Sequence, residues 1–334
     1  MLAAALTAGP VTAGAPAPQT RCTVEDPRLS ELSGMVVDER GLWATDDGGR
    51  RVELHRLDTT GPICRVLETR TAAIDPFDAE DLARGPDGTL WVADTGDNER
   101  RRDTVALVAL PAGGAGGARL HRLTYPDGPH DAEALLVGAD GVPLLITKEV
   151  GRAGIYRPAG PPAEPGPTPL ALVGEVALPA SDTAGGPLGG LGSRQVTGAA
   201  LSADGRVAAL RSYTDAWLYP VTDGDLVAAL AGTPARVPLP GEPQGEALAF
   251  EPDGTLLSGS ELRVVPGEIR AVPGAAGLAA TSGRGPAPAD PPVVGADESA
   301  PAWLPAAVGA VAAAGVLVLL AVVMAVHGAR RRRR

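Results

Sequence analysis

One short pattern of apolar and polar positions recurs five times between residues 30 and 262. Each copy starts with a small or acidic residue, runs through apolar positions to a glycine turn, and returns through a second apolar run to a polar end. The copies start at Ser33, Glu80, Glu133, Thr197 and Glu246, and they align without a gap. Apolar runs on either side of an Asp-Gly or Arg-Gly turn are typical of a β-hairpin. The pattern therefore predicts five similar hairpins.

The spacing within each copy predicts which residues face each other. Seven steps lead from the first residue to the one before the turn glycine, and seven more lead to the last residue. First and last residues are therefore expected to pair, so that all five pairs lie at the same end of their hairpins. The expected pairs are Ser33 with Asp47, Glu80 with Asp94, Glu133 with Thr147, Thr197 with Arg211 and Glu246 with Ser260.

Two further strand-like segments follow the early hairpins, for example 52–57 and 63–69. Units of four antiparallel strands that repeat every 47 to 64 residues are typical of a β-propeller. We therefore predict an all-β fold, a propeller of five blades. A sixth blade would require a degenerate copy within 150–194, where we interpret 158–169 and 184–192 as loop insertions. A solenoid or a β-sandwich is the alternative architecture.

The two ends of the predicted propeller domain, residues 21–270, are expected to complete one blade together. The strand-like segment 21–25 precedes the first hairpin, and the fifth unit has no clear strand beyond Arg270. Such a closure places Cys22 and Cys64 on outer strands of adjacent blades, where a disulfide can form. Two unpaired buried cysteines are the alternative.

The segments outside this domain predict export and membrane anchoring. Residues 1–17 are apolar and end near small residues, as in a signal peptide. A Gly/Ala/Pro-rich linker, 271–302, precedes an uncharged stretch, 303–326, that is long enough for a transmembrane helix. The tail, 327–334, ends in five arginines and is expected on the cytoplasmic side. The folded domain is therefore expected outside the cell.

The net charge of the chain limits the classes of partner that it is expected to bind. A formal net charge of −11 argues against nucleic acid, because phosphate backbones are bound by basic surfaces. The expected partners are the lipid bilayer, through 303–326, and an unidentified extracellular ligand or protein.

Several acidic segments carry a resemblance to a known family. They are Asp78-Ala79-Glu80-Asp81-Leu82, His130-Asp131-Ala132-Glu133-Ala134-Leu135, Gln244-Gly245-Glu246-Ala247-Leu248 and Gly259-Ser260-Glu261. With these segments the chain resembles the exported phytase-like, or esterase-like-phytase, propellers, and more loosely the NHL and lactonase-type propellers. The resemblance implies that acidic residues near the channel hold calcium ions that gather a phosphorylated substrate. This chain departs from that pattern because it lacks a full set of phosphate-binding lysines and arginines.

The first strand of each propeller blade lines the channel, so Glu80, Glu133 and Glu246 are expected to meet at one opening. Clustered carboxylates raise each other's pKa or recruit a divalent cation, and Ca²⁺ prefers six to eight oxygen ligands. We therefore predict a calcium or magnesium site formed by these glutamates with Asp94 and Asp47. Solvent-facing acids that bond backbone N–H groups are the alternative.

Other polar residues near the hairpin ends are candidates for ligand binding. Lys148 and Arg211 could hold an anionic ligand, or could neutralise Glu133 and its neighbours as ion pairs. His130 could act as a base or a ligand. The remaining candidates, chosen for their side-chain oxygens, are Asp97, Asn98 and Glu261.

These residues support two functional hypotheses. The first is a binding module that engages a ligand or protein at its channel opening. The second is a divalent-metal-dependent hydrolase of phosphate esters, carboxylate esters or lactones. The sequence has no Gly-x-Ser-x-Gly, His-Glu-x-x-His or Gly-x-x-x-x-Gly-Lys motif, which argues against serine hydrolases, zinc proteases and NTPases of the usual designs.

Overall fold

The computed structural model of this chain describes residues 15–114, 117–261 and 267–282. Most of the predicted signal segment, most of the predicted linker, and all of segments 303–326 and 327–334 lie outside these ranges. Among the described residues, no helix has both the length and the apolar character needed to cross a membrane.

The regular secondary structure of the described residues is almost entirely β-strand. Two short helices accompany them, Leu226–Leu230 (α1) and Ala276–Ser282 (α2). The strands are Gln19–Val24 (β1), Leu32–Asp38 (β2), Gly41–Asp46 (β3), Val52–Asp58 (β4), Ile63–Ala72 (β5), Ala79–Arg84 (β6), Leu90–Asp94 (β7), Val105–Leu110 (β8), Arg119–Thr124 (β9), Ala132–Val137 (β10), Pro143–Thr147 (β11), Ala153–Pro158 (β12), Thr168–Val176 (β13), Gly198–Leu201 (β14), Val207–Arg211 (β15), Asp215–Pro220 (β16), Ala235–Pro238 (β17), Gly245–Phe250 (β18), Leu256–Ser260 (β19) and Gly267–Val272 (β20).

These strands form five antiparallel units of four. The units are β2 to β5, β6 to β9, β10 to β13, β14 to β17, and a last unit of β18, β19, β20 and β1. The inner strands β2, β6, β10, β14 and β18 pack against each other in a closed ring. A ring of four-stranded antiparallel sheets is the architecture of a β-propeller, so the predicted all-β propeller fold is confirmed. Between β13 and β14, the described residues contain a short 3-10 helix and no strand.

The N-terminal strand closes the ring. β1 pairs antiparallel with β20 and completes the last unit, as the sequence predicted. It also makes a short parallel contact with β5, where Val24 lies opposite Cys64. The predicted disulfide is confirmed, since Cys22 and Cys64 are bonded and join the outer strands of neighbouring units.

The folded domain extends beyond the boundary expected at residue 270. β20 continues to Val272, and α2 follows it. Ala275 and Ala279 are fully buried in an apolar cluster that contains Leu239 and Phe250. These alanines therefore pack the beginning of the predicted linker segment, 271–302, against the folded domain.

The hairpins differ from the predicted pairing in an informative way. In the second hairpin, Asp81 pairs with Ala93 as expected, but Ala79 rather than Glu80 pairs with Asp94. Glu80 is therefore the extra residue of a β-bulge. Glu133 and Glu246 occupy the same bulge position in the third and fifth hairpins.

The two remaining hairpins, which begin at Ser33 and Thr197, are each offset by one residue from the expected register. Val36 pairs with Trp43, and Gly198 pairs with Arg211. In the first hairpin Ser33 is the extra residue of a bulge, whereas the fourth hairpin is shifted without one. The predicted pairs are wrong in detail, because spacing alone reveals neither bulges nor such shifts, although all five hairpin ends do lie at the same end of the ring.

A single carboxylate ties several inner strands together. Asp81 is fully buried. Its Oδ1 accepts the Leu82 N–H at 2.8 Å, and its Oδ2 accepts the Leu135 and Ala199 N–H groups at 2.7 and 3.1 Å. These donors belong to β6, β10 and β14. The inner strands thus meet near the axis of the ring.

The disulfide is expected to contribute strongly to stability. Its cysteines are 42 residues apart, and closing a loop of that length stabilises a fold by about 3–4 kcal/mol in the chain-entropy description. The double variant Cys22→Ala with Cys64→Ala should therefore have a free energy of unfolding lower by about that amount, and it should unfold at a lower urea concentration. A loss below 1 kcal/mol in urea titrations would contradict this expectation.

Candidate functional site

Three buried glutamates meet at one end of the ring. Glu80, Glu133 and Glu246 are 5, 2 and 4 % exposed, and we call them the glutamate cluster. Each occupies a bulge, and bulges turn side chains away from their regular strand directions. Burial, together with repulsion from neighbouring carboxylates, raises the pKa of all three well above the ordinary value. We call this end of the ring the mouth.

Two members of the cluster and one further acid have the spacing of a cation site. Glu80, Asp131 and Glu133 each offer an oxygen, and these oxygens lie within 4.8 Å of one another. Ligands of one Ca²⁺ lie about 2.3–2.6 Å from the ion, so oxygens at this separation can share it. The Oε2 atom of Glu133 is buried and has no hydrogen-bond partner. A buried carboxylate oxygen without a partner is unfavourable, and a bound cation would satisfy it.

Sequence reasoning missed the role of Asp131. It lies next to His130 in a segment that carries the family resemblance, but it precedes β10 and does not belong to the repeated hairpin. Its Oδ1 accepts the Asp97 N–H at 2.8 Å, which links it to the preceding loop. The signal in the sequence was an acid two residues before a cluster glutamate.

Lys148 is the cation nearest to the glutamate cluster. It forms an ion pair with Glu133, and its ammonium lies 5.4 Å from the centre of the Tyr213 ring. Burial lowers the pKa of Lys148, but Glu133 and Tyr213 together outweigh burial, and the net effect is a raised pKa. Lys148 therefore stays charged and offsets part of the negative charge of the mouth, which is the second of the two roles that the sequence suggested.

The acidic surface continues toward the first unit. Glu31, Asp46 and Asp47 form a second, half-buried group of acids whose oxygens lie within 4.8 Å of one another. Burial raises the pKa of Asp46 to about 6. Burial, Glu31 and Glu261 together raise the pKa of Asp47 to about 8. Because Asp47 and Glu261 also act on Glu246, the two groups of acids form one electrostatic system.

Asp94 has a structural role rather than the predicted place among the cation ligands. It forms an ion pair with Arg102 at 3.0 Å, and its Oδ1 accepts the N–H groups of Phe77 and Asp78. Its Oδ1 is therefore already used to hold the loops at the mouth.

Asp97 organises the loop between β7 and β8 in a similar way. Its carboxylate accepts the N–H groups of Arg101 and Arg102 at 2.9 and 2.8 Å. The neighbouring Asn98 instead lines a cavity at the mouth. Of this predicted pair, Asn98 is thus the residue placed to contact a ligand.

Arg211 does not lie on the rim where the sequence placed it. It is fully buried, and its guanidinium forms an ion pair with Glu242 and donates to Ser258 Oγ at 2.6 Å. Glu242 lies outside the repeated hairpin, so the repeat could not reveal this partner. Since Arg211 is enclosed, it holds the last two units together instead of facing a ligand.

His130 lies in a compact polar cluster beside the mouth. Its Nδ1 is 2.8 Å from Glu149, and its Nε2 is 3.1 Å from both Asp127 and the Tyr156 hydroxyl. The rings of Tyr125 and Tyr156 pack against it. Both ring nitrogens are thus occupied by protein groups, and His130 fixes the loop that carries Asp131.

A cavity of about 270 Å³ opens directly beside the proposed cation ligands. Asp131 and Lys148 form one wall, and Gln195 and Tyr213 form part of the rest. A larger cavity of about 390 Å³ opens at the opposite end of the ring and contains none of the glutamate cluster. Carboxylates, a lysine and an open cavity therefore occur together only at the mouth, within the part of the chain that the structure describes.

Comparison with known proteins gives distant structural similarity alone. The sequence matches no protein-family model and no curated protein. A protein assigned as a gluconolactonase is 16% identical with a TM-score of 0.43, covering 75% of this chain and 76% of its own. A luciferin-regenerating enzyme is 14% identical with a TM-score of 0.43, and the match covers 73% of this chain and 78% of that enzyme. Myxococcus xanthus glutaminyl cyclase is 13% identical with a TM-score of 0.42, and the match covers 78% of this chain and 97% of the cyclase. We infer no activity from these similarities, and the phytase-like resemblance stays a prediction.

The raised carboxyl pKa values predict an unusual pH dependence of stability. A group whose pKa is raised by folding stabilises the fold below its unfolded pKa, and this stabilisation is lost as pH rises through the folded value. In the absence of divalent cations, the free energy of unfolding should therefore fall between about pH 5 and 8, by on the order of 2 kcal/mol. Urea titrations at several pH values, in buffer that contains a metal chelator, would measure this fall in the free energy of unfolding.

The variant Glu246→Gln tests the origin of that slope. It removes one of the buried carboxylates, so its stability should fall less steeply with pH than that of the unmodified protein. A parallel or steeper fall in this variant would assign the pH dependence to other groups.

Proposed function

We propose that this protein is a five-bladed β-propeller that binds a divalent cation of the calcium type at its mouth and uses that cation to hold a small ligand. The observation that carries the proposal is the buried, unpartnered Oε2 of Glu133, which lies in the group formed by Glu80, Asp131 and Glu133. This oxygen requires a positive partner beyond Lys148, and its neighbours supply further ligand oxygens.

The charge around Glu133 favours a cation over a permanently empty mouth. Glu246 and Asp131 repel the carboxylate of Glu133, and Glu80 is repelled by Glu133 and Asp131. The positive charge of Lys148 reduces this repulsion for all three glutamates. When these carboxyl groups ionise, one lysine is not enough to neutralise them. A divalent cation supplies two further positive charges and accepts six to eight oxygens, which include carbonyls and water or ligand atoms. An external ligand can thus complete its coordination.

Hydrolysis of a phosphate ester, carboxylate ester or lactone is the second candidate function. Asp46 and Asp47, with pKa values of about 6 and 8, lie in the same electrostatic system as the glutamate cluster. Carboxyl groups that titrate near neutral pH suit general acid and base catalysis. A bound divalent cation would supply polarisation of the carbonyl or phosphoryl oxygen of such a substrate.

We propose further that the propeller lies outside the cell, anchored by one helix. The support comes from the sequence, where an uncharged apolar stretch, 303–326, is followed by the basic tail, 327–334. A Lys/Arg cluster beside a spanning segment favours the cytoplasmic side, which places the mouth and its ligand outside. Millimolar calcium in such surroundings would suit a site of modest affinity.

The purified full-length protein should bind one Ca²⁺ or Tb³⁺ at the mouth, measured by isothermal titration calorimetry and by terbium luminescence. The variant Glu80→Gln removes one charged ligand while leaving the ion pair of Glu133 with Lys148 intact. It should therefore weaken cation binding at least about tenfold, since a carboxylate ligand contributes more than 1.4 kcal/mol.

Glu175→Gln is the matched control, because Glu175 lies on β13 and pairs with Arg152 at the surface. Its cation affinity should not change. Equal binding by Glu80→Gln, Glu175→Gln and the unmodified protein would rule out the mouth as the cation site. Turnover of ester, lactone or phosphoester substrates that chelator abolishes would decide for the hydrolase, and cation binding without turnover would decide for the binding module.

Membrane placement predicts a separate outcome. Full-length protein expressed in its host should sediment with membranes, and protease added to intact cells should digest the propeller domain. Removal of residues 303–334 should release the domain into the soluble fraction, because it deletes the predicted anchor. A protease-resistant domain in intact cells, or membrane association of the truncated chain, would reject this topology.

A further inference from the structure

The cavity of about 270 Å³ beside Asp131 and Lys148 has a composition unlike the rest of the mouth. Where most of the mouth is acidic, this cavity is also lined by Arg100 and Lys148, and by the apolar Leu188. Leu188 is 65% exposed and lines the cavity, so its side chain offers an apolar surface to anything bound there. The cavity thus combines positive charge with an apolar surface.

The backbone around this cavity is held in rare conformations. Arg100 and Leu188 have positive φ angles of 51° and 66°. Among the residues that the structure describes, Asp223 is the one other non-glycine residue with a positive φ. Arg100 and Leu188 belong to different loops, yet both line the same cavity. Such conformations cost free energy and are concentrated at ligand-binding sites, where they aim a side chain.

The loop that carries Arg100 is connected to the proposed cation ligands. The Arg100 N–H donates to the Asp97 carbonyl at 2.7 Å, which closes a tight turn. The N–H of Asp97 in turn donates to Asp131 Oδ1 at 2.8 Å. A ligand that contacts Arg100 would therefore lie beside the carboxylate that helps to hold the cation.

Gln195 adds a hydrogen-bond acceptor to the same cavity. Its Nε2 donates weakly to the Lys148 carbonyl at 3.4 Å, while its Oε1 is buried and has no partner. An N–H or O–H donor of a ligand, carried outside any carboxylate group, would satisfy this oxygen. The cavity volume of about 270 Å³ suits a molecule of modest size.

We propose that this cavity, formed by Arg100, Lys148, Leu188 and Gln195, binds a small organic carboxylate that carries an apolar substituent. The carboxylate contacts Arg100 and Lys148, and the apolar part covers Leu188. The proposal rests on the proposed function, because it names the ligand that the cation at the mouth would help to hold.

The charges of the cavity favour a monoanion. Lys148 already pairs with Glu133, and Arg100 lies 3.5 Å from Glu149. The negative charge of Asp131 also faces the cavity. A carboxylate carries one negative charge, whereas a phosphate monoester carries nearly two at neutral pH and would be repelled more strongly.

Isothermal titration calorimetry of the full-length protein, with and without Ca²⁺, tests this assignment with four probes. Hexanoate has both a carboxylate and an apolar chain. Acetate has the carboxylate without the chain, and 1-hexanol has the chain without the charge. Inorganic phosphate carries a higher negative charge. Hexanoate should bind at least about tenfold more tightly than each of the others, and Ca²⁺ should strengthen its binding.

Three glycine variants make the test independent of folding. Arg100→Gly and Leu188→Gly accommodate positive φ, so each should keep or increase the free energy of unfolding. Both should weaken hexanoate binding about tenfold, and both should leave Ca²⁺ affinity unchanged. Asp223→Gly is the matched control, since it relaxes the third positive φ away from this cavity and should leave hexanoate binding unchanged.

The outcomes separate this inference from the proposed function. Calcium binding with no preference for hexanoate, or unchanged hexanoate binding in Arg100→Gly and Leu188→Gly, overturns the carboxylate site and leaves the cation site standing. Hexanoate binding that depends on both residues without any calcium binding supports the cavity and overturns the cation site. Tighter binding of phosphate than of hexanoate overturns the choice of ligand.

Discussion

The architecture depends on how closely the inner strands approach the axis of the ring. Asp81 shows this approach most directly, since one buried carboxylate accepts N–H groups from β6, β10 and β14. Burial raises its pKa well above the ordinary value, while the three backbone donors act against that shift. At Gly34 a side chain would collide with the backbone, because a Cβ atom there would lie 2.5 Å from the Leu82 nitrogen. With the axis filled this tightly, polar residues at the strand beginnings are crowded together at the mouth.

That crowding explains why the mouth is both unstable and suited to binding. Glu80, Glu133 and Glu246 lie in bulges that turn them toward a shared space, where burial and repulsion oppose ionisation. A fold keeps such a cluster only if other contacts stabilise the ring. The disulfide between Cys22 and Cys64 is of that kind. Stability elsewhere in the ring thus allows these unfavourable glutamates to persist at the mouth.

The sequence revealed the period that the units share, and it missed the bulges and the contacts between units. The hairpin period was sufficient for the propeller fold, the closure by β1 and the disulfide, because all of these follow from repetition. It could not reveal the bulges, since an extra residue leaves no trace in a gapless alignment. Asp131, and Glu242 as the partner of Arg211, lie in connecting loops outside the repeat. Their positions depend on contacts between units, which no local pattern encodes.

The repeated first position of the hairpins serves two different purposes. In two of the units it carries a hydroxyl, and that hydroxyl binds the neighbouring unit: Ser33 Oγ donates to the Glu80 carbonyl at 2.9 Å, and Thr197 Oγ1 donates to the Gly245 carbonyl at 2.7 Å. In the other three units it carries a glutamate. The hydroxyls fix the backbone at or next to two of the bulges, so Glu80 and Glu246 are held in place by their neighbours. Carboxylates at all five positions would remove these bonds and add repulsion, while hydroxyls at all five would leave no ligand for a cation. Because two first positions carry hydroxyls and three carry glutamates, the ring can both close and present a preorganised acidic mouth.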